Sequence, residues 1–442
     1  MSEHMENDDC EKDKSRLSKL IDDTVSIVQS KVRDSVIDGE IERKVKAVVQ
    51  QLLEYTAEKD PRFKSSEILS VGSYKEKTKI LEPDEFDFLV IMDELSKPGV
   101  ISIVKDDALP CYAYFEVQDE AVAYNWWCDE NKILHQFQYR PNVTGVPESF
   151  CTTLLATISE VAKCQNVKLS MDNTTILAVE IEEKTDRKGL IFKSVDDTFL
   201  HQAAVRSPNF ILSLVVNGHH LTVDICPAIR YNNVNEVYSI DDSYYPDLAD
   251  RVIKRGTILF VNQRLGGLPN PLHRLFKITF TETENNIVQN MTKTHKHIYI
   301  FLKFFNKYFE TVLYNPYPSY VLKIACIQHS LTCGRSTIAG CLKHIVEILG
   351  MCSKNEYIAS PFLKTYEIRK LATAEVDENF LSILTDLTSD LAEIPCFSRS
   401  DVDKLQSYVR NNSMPTDELL SLILDKLGIL PHESSKEEDV HL

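Results

Sequence analysis

The stretch EFDFLVIM at residues 85–92 limits the possible folds of this 442-residue chain more than any other segment. Polar and apolar residues alternate at its start, and the stretch then becomes continuously apolar, as in a strand that enters a buried sheet. Residues 210–216 and 219–226 flank an Asn-Gly pair, a spacing that favours two strands joined by a tight turn. The sequence therefore predicts a mixed β-sheet lobe.

Apolar residues recur at helical spacing on both sides of this predicted sheet. Residues 12–57 predict a long N-terminal helix or a helix pair, which Asp38 and Gly39 would kink or break. Further helices are predicted at residues 281–309, 318–331, 338–351, 376–391 and 417–427. We therefore expect an α+β fold with a disordered N-terminus (1–10), a spine helix (11–65), a sheet core (66–265), a helical lobe (266–430) and a polar tail (431–442).

Charge and cysteine usage narrow the class of protein. The formal net charge of −17 argues against a surface that is basic throughout, although it leaves room for a local basic patch. The 11 cysteines have no regular spacing, and the chain starts MSEHMENDDC, without the apolar run of a signal peptide. No stretch approaches the length of a transmembrane helix. We expect reduced thiols, no membrane partner and a location in the cytosol or nucleus.

Three acidic side chains lie in the predicted strands. Glu85 and Asp87 are two residues apart, so on a strand they project from one face, opposite Phe86 and Phe88. Asp224 stands alone in the apolar stretch LTVDICPA, where an unpaired carboxylate is costly. Carboxylate oxygens suit Mg²⁺ or Mn²⁺, and three carboxylates would complete a two-metal site for phosphoryl or nucleotidyl transfer.

A simpler interpretation of each acid stays open at this point. Acids at a strand entrance are most often solvated, and Asp224 could pair with Arg230. Gly72 and Ser73 favour the metal interpretation, because glycine lets a phosphate approach the backbone and serine adds a hydroxyl donor. The combined pattern, G-S-x11-E-x-D followed by a strand aspartate, indicates a nucleotide site.

Four segments of the chain resemble the cGAS-like receptors, the animal relatives of cyclic GMP–AMP synthase. They are GSYKEKTKILEPDEFDFLVIMDEL, LTVDICPAI, LFKITFTETENNIV and PSYVLKIACIQH, and they follow one another in the order of the family. The resemblance implies a nucleotidyltransferase fold, two Mg²⁺ or Mn²⁺ ions, and synthesis of a cyclic dinucleotide such as cyclic GMP–AMP from ATP and GTP. It also implies a cytosolic role in innate antiviral immunity, with a product that a STING-type receptor reads.

Carried over residue by residue, the resemblance gives the catalytic acids and metal ligands as Glu85, Asp87 and Asp224. It implies nucleotide contacts from Gly72, Ser73, Lys277 and Lys323. Lys277 stands where the family often has an arginine that reads the nucleotide. Lysine lacks the planar fork of arginine, so the base preference at this position is expected to differ.

The resemblance also bears on the activator. The vertebrate DNA sensor carries a zinc-binding insertion of one histidine and three cysteines near the start of its helical lobe. The corresponding stretch here, ETENNIVQNMTKTHKHIYIFLKFF, contains no cysteine, so we expect no zinc. Several relatives without the insertion sense RNA, which favours double-stranded RNA over double-stranded DNA as activator. A dimer on the nucleic acid is a further expectation.

Basic residues on two predicted helical segments are the candidates for phosphate contacts with that duplex. Such contacts give an affinity that is independent of sequence and sensitive to salt. The alternative is two unrelated solvated faces. The candidate residues are Lys31, Arg33, Arg43, Lys44, Lys46, Lys293, Lys296, His297, Lys303 and Lys307.

Two other functions stay open. One is a catalytically silent member of the superfamily that binds a nucleotide or a protein, and the other is a template-independent nucleotidyltransferase that extends RNA. A separate series of cysteines and a histidine is spaced more widely than usual zinc ligands, and we interpret it as core and surface thiols, with a metal site as the less favoured alternative. This series is Cys333, Cys341, His344 and Cys352.

Overall fold

The computed structural model describes most of the chain between residues 16 and 385. The described residues are 16–29, 35–80, 85–105, 112–126, 128, 131–134, 150–163, 169–171, 174–176, 199–206, 209–216, 219–232, 258–262, 275–313, 317–334, 337–355, 357–362, 367–369, 381 and 384–385. The predicted disordered N-terminus, the polar tail and the helix at 417–427 lie outside these residues. So does most of the predicted helix at 376–391.

The described helices follow the apolar periodicity of the sequence. Their bounds are α1 Arg16–Val28, α2 Ser35–Lys59, α3 Gly72–Lys75, α4 Glu120–Asn125, α5 Phe150–Lys163, α6 Thr281–Gln289, α7 Lys293–Leu313, α8 Ser319–Thr332 and α9 Ile338–Asn355. The break expected at Asp38 and Gly39 is wrong, because α2 continues through both residues. The single helix expected over 281–309 is in fact two helices, α6 and α7.

A mixed nine-stranded sheet forms the other main element of the fold. The described strands are β1 Glu67–Val71, β2 Glu85–Ile91, β3 Ile101–Lys105, β4 Tyr112–Val117, β5 Leu169–Met171, β6 Thr174–Ile176, β7 Phe199–Arg206, β8 Asn209–Val216, β9 His219–Tyr231, β10 Ile258–Asn262, β11 Phe276–Thr279, β12 Tyr357–Ala359 and β13 Glu367–Arg369. The pairs β5–β6 and β12–β13 form two small separate sheets. The predicted mixed sheet is confirmed.

The order of the main sheet is β1-β2-β9-β10-β11-β4-β3, with β8 pairing with both β9 and β7. Strands β2 and β9 run parallel, and the other pairs are antiparallel. The predicted pair of strands around the Asn-Gly sequence is confirmed, since β8 and β9 are antiparallel and Val216 lies opposite His219. Strand β9 is thus the central strand on which β2, β8 and β10 converge.

The two faces of the sheet bury different amounts of apolar surface. On β2, Phe86 and Phe88 enter the main core and are 2% and 1% exposed, as the alternation of the sequence predicts. The opposite face carries a smaller apolar cluster formed by Leu89, Ile91, Cys226, Ala228 and Leu259. Side chains two residues apart share a face, so the three candidate acids belong to this second face, next to its small cluster.

The N-terminal helices pack against both main elements of the fold. Helix α2 contacts α5, whereas α1 contacts α7 and α9 in the helical part. Nδ1 of His297 lies 2.5 Å from Oδ1 of Asp22, and this contact joins α7 to α1. Among the described residues, no helix combines the length and the apolarity needed to cross a lipid bilayer.

Candidate metal and nucleotide site

The three candidate acids meet on two neighbouring parallel strands. Asp87 of β2 lies directly opposite Asp224 of β9, and Glu85 lies opposite Thr222 one pleat earlier. Each carboxylate places an oxygen within 4.8 Å of an oxygen from each of the other two. The structure therefore brings together the three acids that were predicted to act as a group. Their role as metal ligands stays a prediction at this stage.

The electrostatic environment of Asp87 is unusual for a carboxylate. Burial, followed by the negative charges of Glu85 and Asp224, raises the pKa of Asp87 from 3.8 to about 7. The ammonium of Lys79 opposes this shift, and its Nζ lies 3.4 Å from Oε2 of Glu85. Like charges this close disfavour one another, so the cluster would gain stability from a bound cation.

Gly72 lies directly against the carboxylate of Asp87. Its φ of +73° is in the left-handed region that glycine tolerates, and a Cβ atom built there would lie 2.0 Å from Oδ2 of Asp87. The backbone before Ser73 therefore approaches the acids more closely than any residue with a side chain would allow. This juxtaposition joins the Gly-Ser pair to the acid cluster, as its sequence pattern predicts.

Lys323 extends from α8 toward Glu76, the residue that follows α3. Its Nζ lies 2.7 Å from Oε1 of Glu76, just after α3, and 2.8 Å from Oε2 of Glu284 on α6. Burial lowers the pKa of Lys323, but the charges of Glu284 and Glu76 outweigh burial and raise it above its ordinary value. The three groups form a buried ion-pair triad that ties the loop after Gly72 to two helices. The predicted contact of Lys323 with a nucleotide stays a prediction.

The other predicted nucleotide contact, Lys277, lies on β11. Its Nζ is 5.1 Å from the ring centre of Tyr320, on the same helix as Lys323. Arg230, the alternative partner considered for Asp224, is engaged by two other carboxylates. Its guanidinium lies 2.7 Å from Glu67 and 2.9 Å from Glu282.

The candidate nucleic-acid residues fall into three groups. Lys31 and Arg33 lie outside the described residues. The side chains of Arg43, Lys46, Lys293 and Lys307 are exposed, whereas those of Lys44, Lys296 and His297 are half-buried. Lys303 differs from the rest, because its Nζ donates to the carbonyl oxygen of Thr78 at 3.0 Å. Burial lowers the pKa of Lys303 to about 8. The charge of Glu76 opposes this shift, and the charges of Lys79 and Lys323 add to it.

Sequence reasoning missed several residues that surround the acids. Glu76 and Lys79 lie between Ser73 and Glu85, at positions where the predicted G-S-x11-E-x-D pattern allows any residue. Lys303 was predicted to face nucleic acid, yet its ammonium lies at the segment that connects Gly72 to the acids. The contact of Lys303 with Thr78 joins residues far apart along the chain, so no local sequence pattern reveals it. The contact of Lys79 with Glu85, in contrast, is local.

The raised pKa of Asp87 predicts a pH-dependent stability in metal-free protein. Between pH 4 and pH 7 the folded state binds a proton at Asp87 that the unfolded state has lost, so the free energy of unfolding falls as pH rises. Asp87→Asn lacks this titration. Urea unfolding in the presence of a chelator measures the free energy of unfolding of the wild type and of the variant. We expect the wild-type value minus the variant value to fall between pH 5 and pH 8. If the two free energies change with pH in parallel, the raised pKa of Asp87 is contradicted.

No protein-family model matches the chain.

Proposed function

We propose that the chain is a nucleotidyltransferase of the cGAS-like receptor type. It would make a cyclic dinucleotide, such as cyclic GMP–AMP, from ATP and GTP when it binds double-stranded nucleic acid, with RNA favoured over DNA. The observation that carries this proposal is the convergence of Glu85, Asp87 and Asp224 on two parallel strands, with the backbone of Gly72 against them. Acids on adjacent strands of a mixed sheet, next to the Gly-Ser pair that begins α3, support a nucleotidyltransferase fold.

The three acids fit a site for divalent cations. Their donors are all hard carboxylate oxygens, and they lie close enough to share an ion. Burial and then the charges of Glu85 and Asp224 raise the pKa of Asp87, and a cation would oppose both effects. Glu85, Asp87 and Asp224 would hold two Mg²⁺ or Mn²⁺ ions. When bound, these ions would activate a ribose hydroxyl and stabilise charge on the α-phosphate as pyrophosphate leaves.

The protein's own groups would position the nucleotide around these acids. The buried end of β2 fixes Asp87, because Leu89, Val90 and Ile91 anchor the strand in apolar surroundings. Gly72 lets the backbone lie against Asp87, and the hydroxyl of Ser73 next to it would add a donor for a phosphate. Lys323 has three N–H donors and points two of them at Glu76 and Glu284, which leaves one for a phosphate oxygen.

Exposed basic side chains support the proposed nucleic-acid activator. Lys293 and Lys307 are both exposed on α7, the helix that carries Lys303 toward the acid site. Phosphate contacts at these exposed positions would therefore act on the same helix whose Lys303 contacts Thr78, between Gly72 and the acids. A duplex can activate the enzyme only if it binds the competent arrangement of this helix more tightly than the resting one.

Incubation of the purified chain with labelled ATP and GTP tests the proposal directly. Reactions contain Mg²⁺ or Mn²⁺ and either double-stranded RNA, double-stranded DNA or no nucleic acid. We expect a small phosphatase-resistant product that forms with duplex RNA, and less of it when Lys293 and Lys307 are both changed to Glu. Lengthened RNA would instead identify an RNA-extending enzyme, and the absence of any product would identify a silent binding protein.

A further inference from the structure

Two histidines and two cysteines meet where α7, α8 and α9 converge. His295 lies in the first turn of α7, His329 near the end of α8, Cys333 just after that helix, and Cys341 in the first turn of α9. Each of the four places a ligand atom within 4.8 Å of the others. His295, His329 and Cys341 are buried, while Cys333 is half-buried, so the cluster lies beneath the surface with one side near solvent.

The distances between the donor atoms match those around a tetrahedral metal ion. The sulfurs of Cys333 and Cys341 are 3.7 Å apart, and Nε2 of His295 lies 3.6 Å from Sγ of Cys341. A tetrahedral Zn²⁺ with Zn–S bonds of about 2.3 Å and Zn–N bonds of about 2.0 Å separates two sulfurs by about 3.8 Å and a sulfur from a nitrogen by about 3.5 Å. These two pairs of donors are therefore already at the spacing that a single ion requires, and all four donors lie within 4.8 Å of one another.

His329 supplies an independent indication of a ligand. Its Nε2 atom is buried and has no hydrogen-bond partner, and an unsatisfied buried polar atom destabilises a fold. Its other ring nitrogen, Nδ1, lies 2.8 Å from Nδ1 of His344 on α9. If His329 Nδ1 carries the proton and donates a hydrogen bond to Nδ1 of His344, the lone pair of Nε2 is available to a metal. Metal-binding histidines are typically oriented by such a second hydrogen bond.

The charge state of the histidines is also suited to a metal. Burial, followed by the neighbouring rings of His295 and His344, lowers the pKa of His329 to about 4, and burial lowers the pKa of His295. A lowered pKa favours the neutral imidazole, which is the form that coordinates a metal.

We propose that His295, His329, Cys333 and Cys341 form a structural Zn²⁺ site. All four positions of a tetrahedral ion would be filled by protein atoms, which is typical of a structural rather than a catalytic zinc. The ion would join three helices, of which α8 and α9 are also linked by the contact between His329 and His344. Helix α8 also carries Lys323 of the buried ion-pair triad. The proposal departs from the expectation that the chain binds no zinc, and it does not depend on nucleotidyl transfer.

The sequence pattern concealed this site. The series considered above contained Cys333, Cys341, His344 and Cys352, of which the structure places only the first two among the donors. His329 and Cys333 are four residues apart and so lie on one face at the end of α8, but the other two ligands come from different helices. Wide spacings of this kind become a metal site only through tertiary packing.

Metal analysis of the purified full chain tests the proposal without reference to activity. We expect one equivalent of zinc per chain to remain after extensive dialysis. Replacement by Co²⁺ should give the intense visible bands of a tetrahedral ion and thiolate-to-cobalt charge-transfer bands in the near ultraviolet. Cys341→Ala should lose both the stoichiometric zinc and these bands, and a folded wild-type chain that binds neither ion would overturn the proposal.

A matched control lies on the same helix. Cys352 is as buried as Cys341 but is outside the cluster, so Cys352→Ala should keep its full complement of zinc. The alternative to a metal site is a disulfide between Cys333 and Cys341. Thiol mapping under non-reducing conditions would detect it, and its presence in the native protein would also overturn the proposal. Should Cys341→Ala fail to fold, the wild-type metal content and the cobalt spectrum still decide the matter.

Discussion

Asp87→Asn is expected to lower the rate of cyclic dinucleotide synthesis by about 10³-fold or more, since metal ions contribute several kcal/mol to transition states of this kind. Asparagine keeps the shape of the side chain but removes the negative charge that would hold a cation between β2 and β9. The same change removes a carboxylate whose pKa is raised by burial and by the charges of Glu85 and Asp224. We therefore expect metal-free Asp87→Asn to be at least as stable as the wild type at pH 7.5, so that loss of activity and loss of fold are separated.

Asp93→Asn is the matched control for this substitution. Asp93 follows the end of β2, and its carboxylate accepts hydrogen bonds from the backbone and the hydroxyl of Ser66, away from the acid cluster. This variant should retain most of its activity. Both variants are checked by the amount of radiolabelled product and by thermal unfolding of the same preparations. Binding of duplex RNA is a further readout. Undiminished product from Asp87→Asn would remove the assignment of the acids as metal ligands.

Alternation along a strand was sufficient to predict which side chains share a face. Phe86 and Phe88 enter the main core, and Glu85 and Asp87 project from the other side, because the period of two is a local property of the chain. Pairing between β2 and β9 is different in kind, since it joins segments that are far apart in sequence. The position of Asp224 opposite Asp87 follows from that pairing, and no pattern within either strand determines it.

The helical part shows the limit of sequence reasoning more clearly. Apolar spacing predicted α8 and α9 to within a few residues, because each helix must bury one face. It could not predict that His295 from α7 would approach Cys341 from α9, or that Lys323 would bridge Glu76 and Glu284. Those contacts depend on how the helices pack against one another. The packing, and not the sequence spacing, determines the distances between their charged or metal-binding groups.

Lys323→Met is expected to lower the free energy of unfolding by about 3–5 kcal/mol, the range found when one partner of a buried ion pair is removed. Glu76 is 1% exposed and Glu284 is 0% exposed, so neither carboxylate can recover the lost cation from solvent. Urea unfolding at pH 7.5, without nucleotide or nucleic acid, measures the effect. A role restricted to binding nucleotide phosphates would instead leave this stability unchanged and weaken only the affinity for ATP and GTP.

Two further variants show whether the loss comes from unpaired charge. Lys343→Met removes an exposed lysine from α9 and should change stability by less than about 0.5 kcal/mol, as surface substitutions usually do. Replacing Lys323 by Met together with Glu76→Gln and Glu284→Gln removes all three charges, and Tyr320 can still donate to the new amide oxygen at position 284. This triple variant should recover part of the stability, because it no longer leaves two buried carboxylates without their cation. If it is no more stable than Lys323→Met alone, packing of the lysine stem rather than its charge holds the loop after Gly72 against α6 and α8.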